Sequence, residues 1–216
     1  MDFLASAIDI FLHLDKHLAD IIATYGSGWT YALIFVIIFC ETGLVVAPFL
    51  PGDSLLFATG AFAASGALDI VPACVTILVA AVLGDATNYF IGGRLGIRVF
   101  DNPQSRVFKH EYLERTQAFY DKYGGKTIVI ARFVPIVRSF APFLAGVGKM
   151  RYSYFATWNV LGAALWVIVC AVGGYLFGNL PFVREHFSIV VLTIIVVSTL
   201  PGIIEIIRVR RARRMR

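Results

Sequence analysis

Ala131–Gly146 reads ARFVPIVRSFAPFLAG. Apolar sequence flanks it on both sides, yet it holds two arginines, Arg132 and Arg138, and two prolines, Pro135 and Pro142. An arginine at the centre of a bilayer costs roughly 2.5–3.5 kcal/mol on insertion scales. Two of them with helix breakers between do not suit a plain lipid-facing span. A helix broken inside a membrane must have its freed backbone in protein or against a wet cavity. The stretch therefore reads as a broken, re-entrant element that holds positive charge. The competing reading is two arginines snorkelling to the interface.

A second stretch mirrors it. Cys40–Leu56, CETGLVVAPFLPGDSLL, has prolines at Pro48 and Pro51 and acids at Glu41 and Asp53. Thr30–Gly66 contains those two acids and no base, whereas Thr127–Gly148 contains the two arginines and no acid. Buried charges are paired with each other or with a ligand. Ala47-Pro48-Phe49-Leu50-Pro51-Gly52 also echoes Ala141-Pro142-Phe143-Leu144-Ala145-Gly146. A weaker echo joins Gly92-Gly93-Arg94-Leu95-Gly96 to Gly173-Gly174-Tyr175-Leu176-Phe177-Gly178. Weak internal symmetry with interrupted apolar segments points to a transporter's binding site. Pro48, Pro51, Gly52, Pro135, Pro142 and Gly146 are the expected structural breaks.

The chain has 216 residues, 58% hydrophobic and 15% charged, which places it in a membrane as a single unit. Its net charge of +5 is concentrated. Seven bases lie in Arg94–Lys126 and six in Arg208–Arg216. This positive-inside pattern puts both segments in the cytoplasm. A basic tail after a span meets anionic lipid heads, so no nucleic-acid partner is expected. Cys40, Cys74 and Cys170 lie in apolar runs with no metal or disulfide spacing. No cofactor or metal is expected.

The expected fold is an all-α integral membrane protein with a transporter-like inverted repeat. Residues 1–28 form an amphipathic interfacial helix ended by Tyr25-Gly26-Ser27-Gly28. Residues 29–66 are the first re-entrant element, and 72–93 a transmembrane helix. Residues 94–126 are the cytoplasmic connector and 127–149 the second re-entrant element. Transmembrane helices follow at 152–182 and 188–207, with a basic cytoplasmic tail at 208–216. Ser65–Ile70 falls outside on this layout and Lys149 and Arg151 inside, so the two broken elements enter from opposite faces. Two full crossings per element would preserve the same parity.

Within the span at 72–93 the only charge is Asp85, and Asn88 shares its face. Asn159 and Trp166 share a face in the next span. These polar groups line a cavity or make interhelical hydrogen bonds. Asp53 follows Pro51-Gly52 and precedes Ser54, so it either caps a helix or serves the function.

Glu41-Thr42-Gly43-Leu44, Pro51-Gly52-Asp53, Ala131-Arg132-Phe133-Val134-Pro135-Ile136-Val137-Arg138 and Ala145-Gly146 resemble the DedA family of bacterial inner-membrane proteins. The resemblance extends over almost the whole chain. It implies a fold with two facing re-entrant hairpins, shared with a wider group that includes eukaryotic lipid scramblases. It implies lipid transport across the inner membrane, with recycling of undecaprenyl phosphate the leading activity of several members. Dependence on the proton motive force is also implied. The family's functional acids fall on Glu41 and Asp53 and its functional arginines on Arg132 and Arg138.

The residue chemistry is compatible with an anionic lipid head. Arginine offers a planar fork that binds phosphate bidentately and stays charged. Pro135 can bend the chain so that Arg132 and Arg138 meet one phosphate. Glu41 is the candidate proton carrier. The expected partners are membrane lipids, above all an anionic polyprenyl phosphate, and protons. A proton-coupled small-solute or ion transporter and a phospholipid scramblase remain as alternatives. An enzyme such as a lipid phosphatase is not expected, because His13, His17, His110 and His186 all lie outside the broken elements.

Overall fold

The computed structural model describes residues 14–44, 52–100, 120, 123–186, 189–190 and 192–194. All regular structure among them is helical. We label the helices α1 Leu14–Gly43, α2 Gly52–Ala64, α3 Ile70–Phe100, α4 Lys126–Ala131, α5 Pro135–Val147 and α6 Tyr152–Val167. A π-helical turn, Ile168–Val172, leads into α7 Gly173–Phe177, and α8 is Pro181–Glu185. Pro48, Pro51, most of the connector, most of Ser188–Ile207 and the basic tail lie outside the described residues.

Among the described residues, three helices are long and apolar enough to cross a membrane: Asp20–Gly43, Ile70–Leu95 and Tyr152–Phe177. The last two coincide with expected spans. The first differs from expectation. Gly26 does leave helical geometry, at φ 77°, ψ 172°, but the helix resumes and runs to Gly43. Glycine takes this left-handed backbone without a Cβ penalty. The arm before Pro48 is thereby long enough to cross by itself. The arm after it, α2, has only 13 residues. Val137–Val147 is likewise a short apolar helix.

Exposed and packed faces separate cleanly on the long helices. On α3, Val71, Val75, Val79 and Leu83 are exposed at four-residue spacing. The opposite stripe carries Ala81, Asp85 and Asn88, all buried. On α6, Phe155, Asn159, Ala163 and Trp166 are buried, while Leu161 and Leu165 are exposed.

The break between α4 and α5 follows from Pro135. Proline at the first helical position needs no amide donor, and it forces the residue before it to be extended. Val134 is extended accordingly, at φ −122°, ψ 104°. Pro142 and Gly146 do not act as the breaks expected of them. Both lie inside α5. Pro142 forfeits a single i→i−4 bond, and the helix continues past it to Val147.

The chain divides into two compact units. One draws its described residues from Met1–Ile37, Leu50–Ile77 and Trp166–Arg216. The other draws them from Ile38–Phe49 and Leu78–Leu165. In the first unit α2 packs on the π turn and α7 through glycines. A Cβ on Gly60 would overlap the Ala171 carbonyl, and one on Gly174 would overlap the Phe57 carbonyl. In the second unit α5 packs on α3 in the same manner. A Cβ on Gly146 would overlap the Tyr89 carbonyl, and one on Gly92 the Phe143 carbonyl. In both units the short helix and its long neighbour meet backbone to backbone through glycines three residues from the facing carbonyls. Small residues at a membrane helix crossing permit this approach.

The second unit also has an aromatic core. Tyr120, Ile128, Ala145 and Phe155 are buried together, with Tyr89 and Trp158 against them. Tyr89 and Phe155 stack at 4.6 Å. The Tyr120 hydroxyl donates to the Ala141 carbonyl at 2.7 Å, and burial pushes its ionisation well above the usual phenol range.

Candidate functional site

The buried polar side chains of the second unit converge from α1, α3, the α4–α5 break, α5 and α6. Glu41, Asp85, Asn88, Arg132, Arg138, Ser139 and Asn159 are each at most 4% exposed. Arg132 is the C-cap of α4 and enters the cluster at the turn that Pro135 imposes. Its Nη2 donates to Asp85 Oδ2 and to Asn159 Oδ1, both at 2.5 Å. The Asn159 amide in turn donates to the Val82 carbonyl at 3.1 Å. Gly162, one turn beyond Asn159, leaves room for the Arg132 stem; a Cβ there would sit 3.3 Å from its Cδ and Nε. Arg132 is thus held by an acid on α3, an amide on α6 and the α6 backbone.

Arg138, in the first turns of α5, makes a different pair. Its Nη2 donates to Glu41 Oε1 at the end of α1. Beside it, Asn88 bridges two backbones: its amide donates to the Thr42 carbonyl at 3.2 Å and to the Ser139 carbonyl at 2.7 Å. Asn88 therefore fastens the residue after Glu41 and the residue after Arg138 to α3. Asp85 Oδ1 and Asn88 Oδ1 are buried with no hydrogen-bond partner among the described residues.

The expected pairing of the acidic and basic elements is present for Glu41 and Arg138. The partner of Arg132 is Asp85, on a helix that contributes to neither broken element. Asp85 and Arg132 are 47 positions apart in the sequence, and only one of them lies in an expected broken element. Asp85 was nonetheless visible as the only charge in its span. Asp53 belongs to the first unit. It lies in the first turn of α2, where the helix dipole favours an acid, rather than at the cap. Its Oδ1 accepts from Trp166 Nε1 at 2.8 Å. Trp166 is fully buried, and the sequence indicated only its face. Among the described residues, no three His, Cys, Asp or Glu side chains come together as a metal site.

An acid at the end of α1, paired arginines around a proline break, and short glycine-packed helices are now in place. The VTT domain family matches residues 50–176, more than half of the chain. The chain is 54% identical to "Protein DedA" of Escherichia coli (strain K12) over 214 residues, covering 98% of this chain and 97% of that protein.

This chain belongs to the DedA family.

A family relative from Mycobacterium tuberculosis (strain H37Rv), described as an uncharacterized membrane protein, is 45% identical over 185 residues. That match covers 84% of this chain and 80% of the relative. The "Inner membrane protein YqjA" of Escherichia coli (strain K12) is 36% identical over 160 residues, covering 74% of this chain and 72% of its own. No solved structure matches the chain. As a DedA family member it is a multi-pass membrane protein.

Proposed function

We propose that this protein carries an anionic lipid phosphate, such as undecaprenyl phosphate, across the bacterial inner membrane with coupling to protons. One observation carries the reading: two arginines are buried in apolar helices, each against a carboxylate. Replacing buried ion pairs with hydrophobic residues is often neutral or stabilising, so such pairs are weak devices for stability. In membrane helices, ionisable groups of this kind mark transport and proton paths.

The two pairs have different tasks in this proposal. Arg132 shares one nitrogen between Asp85 and Asn159 and is the frame that fixes the break. Arg138 and Glu41 are the exchangeable pair. A lipid phosphate competes with Glu41 for the Arg138 guanidinium, which can take it bidentately. Glu41, deprived of its cation in an apolar site, takes up a proton. The loaded site is then closer to neutral, and its rearrangement across the bilayer is less costly. The glycine-packed helix pairs in the two units support an inverted repeat, with α2 and α5 as counterparts in re-entrant elements. Asp53, held by Trp166, is the second coupling acid.

The test is lipid movement in liposomes holding the purified protein. Labelled undecaprenyl phosphate and a labelled zwitterionic phospholipid are compared, with and without an imposed pH gradient. Gradient-stimulated movement of the polyprenyl phosphate alone is expected. Equal movement of both lipids would indicate a scramblase, and movement of neither a small-solute carrier. Glu41→Gln, a neutral near-isostere, should still move lipid phosphate but without response to the gradient. If it keeps the wild-type response, Glu41 is not the proton carrier.

A further inference from the structure

We propose that the cleft where α5 turns into α6 is a docking site for a phosphate monoester headgroup, separate from the buried arginines. The cleft has a volume of about 650 Å³. Its walls include Tyr120, Lys149, Met150, Arg151, Ser153 and Tyr154, all in the second unit.

Lys149 is the key residue. Among the described residues it is the only non-glycine with a positive φ, at 53°. It occupies the left-handed position of a helix stop in which Met150 N donates to the Ala145 carbonyl at 3.0 Å and Lys149 N to the Gly146 carbonyl at 3.1 Å. Glycine is the usual occupant of that position because a Cβ is strained there. A lysine placed earlier in the helix end would serve the dipole equally well without strain. At this position the lysine forms part of the wall of the cleft.

Arg151 adds a second cation two residues on. Among the described residues neither Lys149 nor Arg151 makes an ion pair. The start of α6 supplies neutral donors. The first-turn amides of a helix lack intrahelical partners, and Ser153 adds a hydroxyl at the same end. The loop is braced from behind. The Tyr89 hydroxyl donates to the Met150 carbonyl, and Gly125 N donates to the Tyr154 hydroxyl at 3.1 Å. Two cations, a hydroxyl and helix-end amides on a braced turn match a dianionic monoester better than a singly charged diester.

This site rests on the lipid-phosphate reading only for a lipid being its ligand; the recognition chemistry is that of phosphate, whatever molecule carries it. The test uses the full chain in nanodiscs, without a gradient and without transport. Retention of phosphatidic acid against phosphatidylglycerol is read by native mass spectrometry. Inorganic phosphate is followed by exchange broadening in phosphorus NMR. Preferential retention of phosphatidic acid is expected, and Lys149→Gly and Arg151→Gln should each weaken it about tenfold. Lys149→Gly also relieves the strained backbone, so it should melt no earlier than wild type; its loss of ligand is then not a loss of fold. Inorganic phosphate binding without retention of phosphatidic acid would assign the site to a soluble phosphate. Unchanged behaviour of both probes in the Lys149→Gly/Arg151→Gln double variant overturns the site. Neither Lys149 nor Arg151 belongs to the Arg138–Glu41 pair, so a failure of the transport reading leaves this outcome readable.

Discussion

Asp85→Asn isolates the frame from the exchangeable pair. The substitution keeps the shape of the side chain and removes its charge. Arg132 then keeps Asn159 but loses the carboxylate 2.5 Å away. Both side chains of the pair are 1% exposed, so solvent does not compensate. Breaking a buried pair by removing one partner costs about 3–5 kcal/mol. For a chain of this size, 1 kcal/mol corresponds to roughly 2–4 °C in melting temperature. The expected loss is therefore about 6–20 °C. The assay is the fraction of monodisperse protein left after heating in detergent. Asp85→Asn with Arg132→Gln removes both charges and should recover much of the loss, which a double-mutant cycle measures as coupling. An Asp85→Asn protein that melts within about 2 °C of wild type would refute the assignment of Arg132 to the frame.

Arg138→Lys should impair lipid transport at normal expression, because an ammonium cannot offer the bidentate fork; full transport by this variant removes phosphate clamping from the mechanism. Gly146→Ala should cost about 1–3 kcal/mol through overlap with the Tyr89 carbonyl. Gly28→Ala, which meets nothing within 4 Å, should be neutral or stabilising by about 0.4–1 kcal/mol, and melting curves of the two compare them directly. A single cysteine at Ser65 should label from outside, and cysteines at Gln104 and Met215 only from inside; labelling of Ser65 and Gln104 from one face would contradict the opposed entry of the two elements.

The charge pattern alone implies a buried acid–base pair, because isolated charges in apolar sequence have few other options. It did not disclose who pairs with whom. Asp85 is as isolated as Glu41, and only the path of α3 brings it to Arg132. The repeat shows the same division. The echo of Ala47–Gly52 with Ala141–Gly146 sets Gly52 opposite Gly146. Packing gives the role of Gly146 to Gly60 instead, inside the featureless run Leu55–Ala64. A backbone contact is made by the absence of a side chain, and local motif similarity does not register that. The second echo came within one residue, since Gly92 corresponds in packing to Gly174 rather than Gly173. The stop at Gly26 was legible, but the renewed helix beyond it was not, because α1 regains its span only through the apolar run that follows.

The wide turn at Ile168–Val172 resets the angular phase of the helix it interrupts. Trp166 and Gly174 are eight residues apart, which on an unbroken α-helix would separate them by roughly 80°. One additional residue in a turn takes back roughly 100°, leaving the two within roughly 20° of each other. Both then reach α2, Trp166 at Asp53 and Gly174 at Phe57. Residue count does the aligning here, and side-chain chemistry at Ile168–Val172 is secondary. Deleting any one of the five would rotate either the indole away from its carboxylate or the glycine away from its crossing, whichever residue is removed.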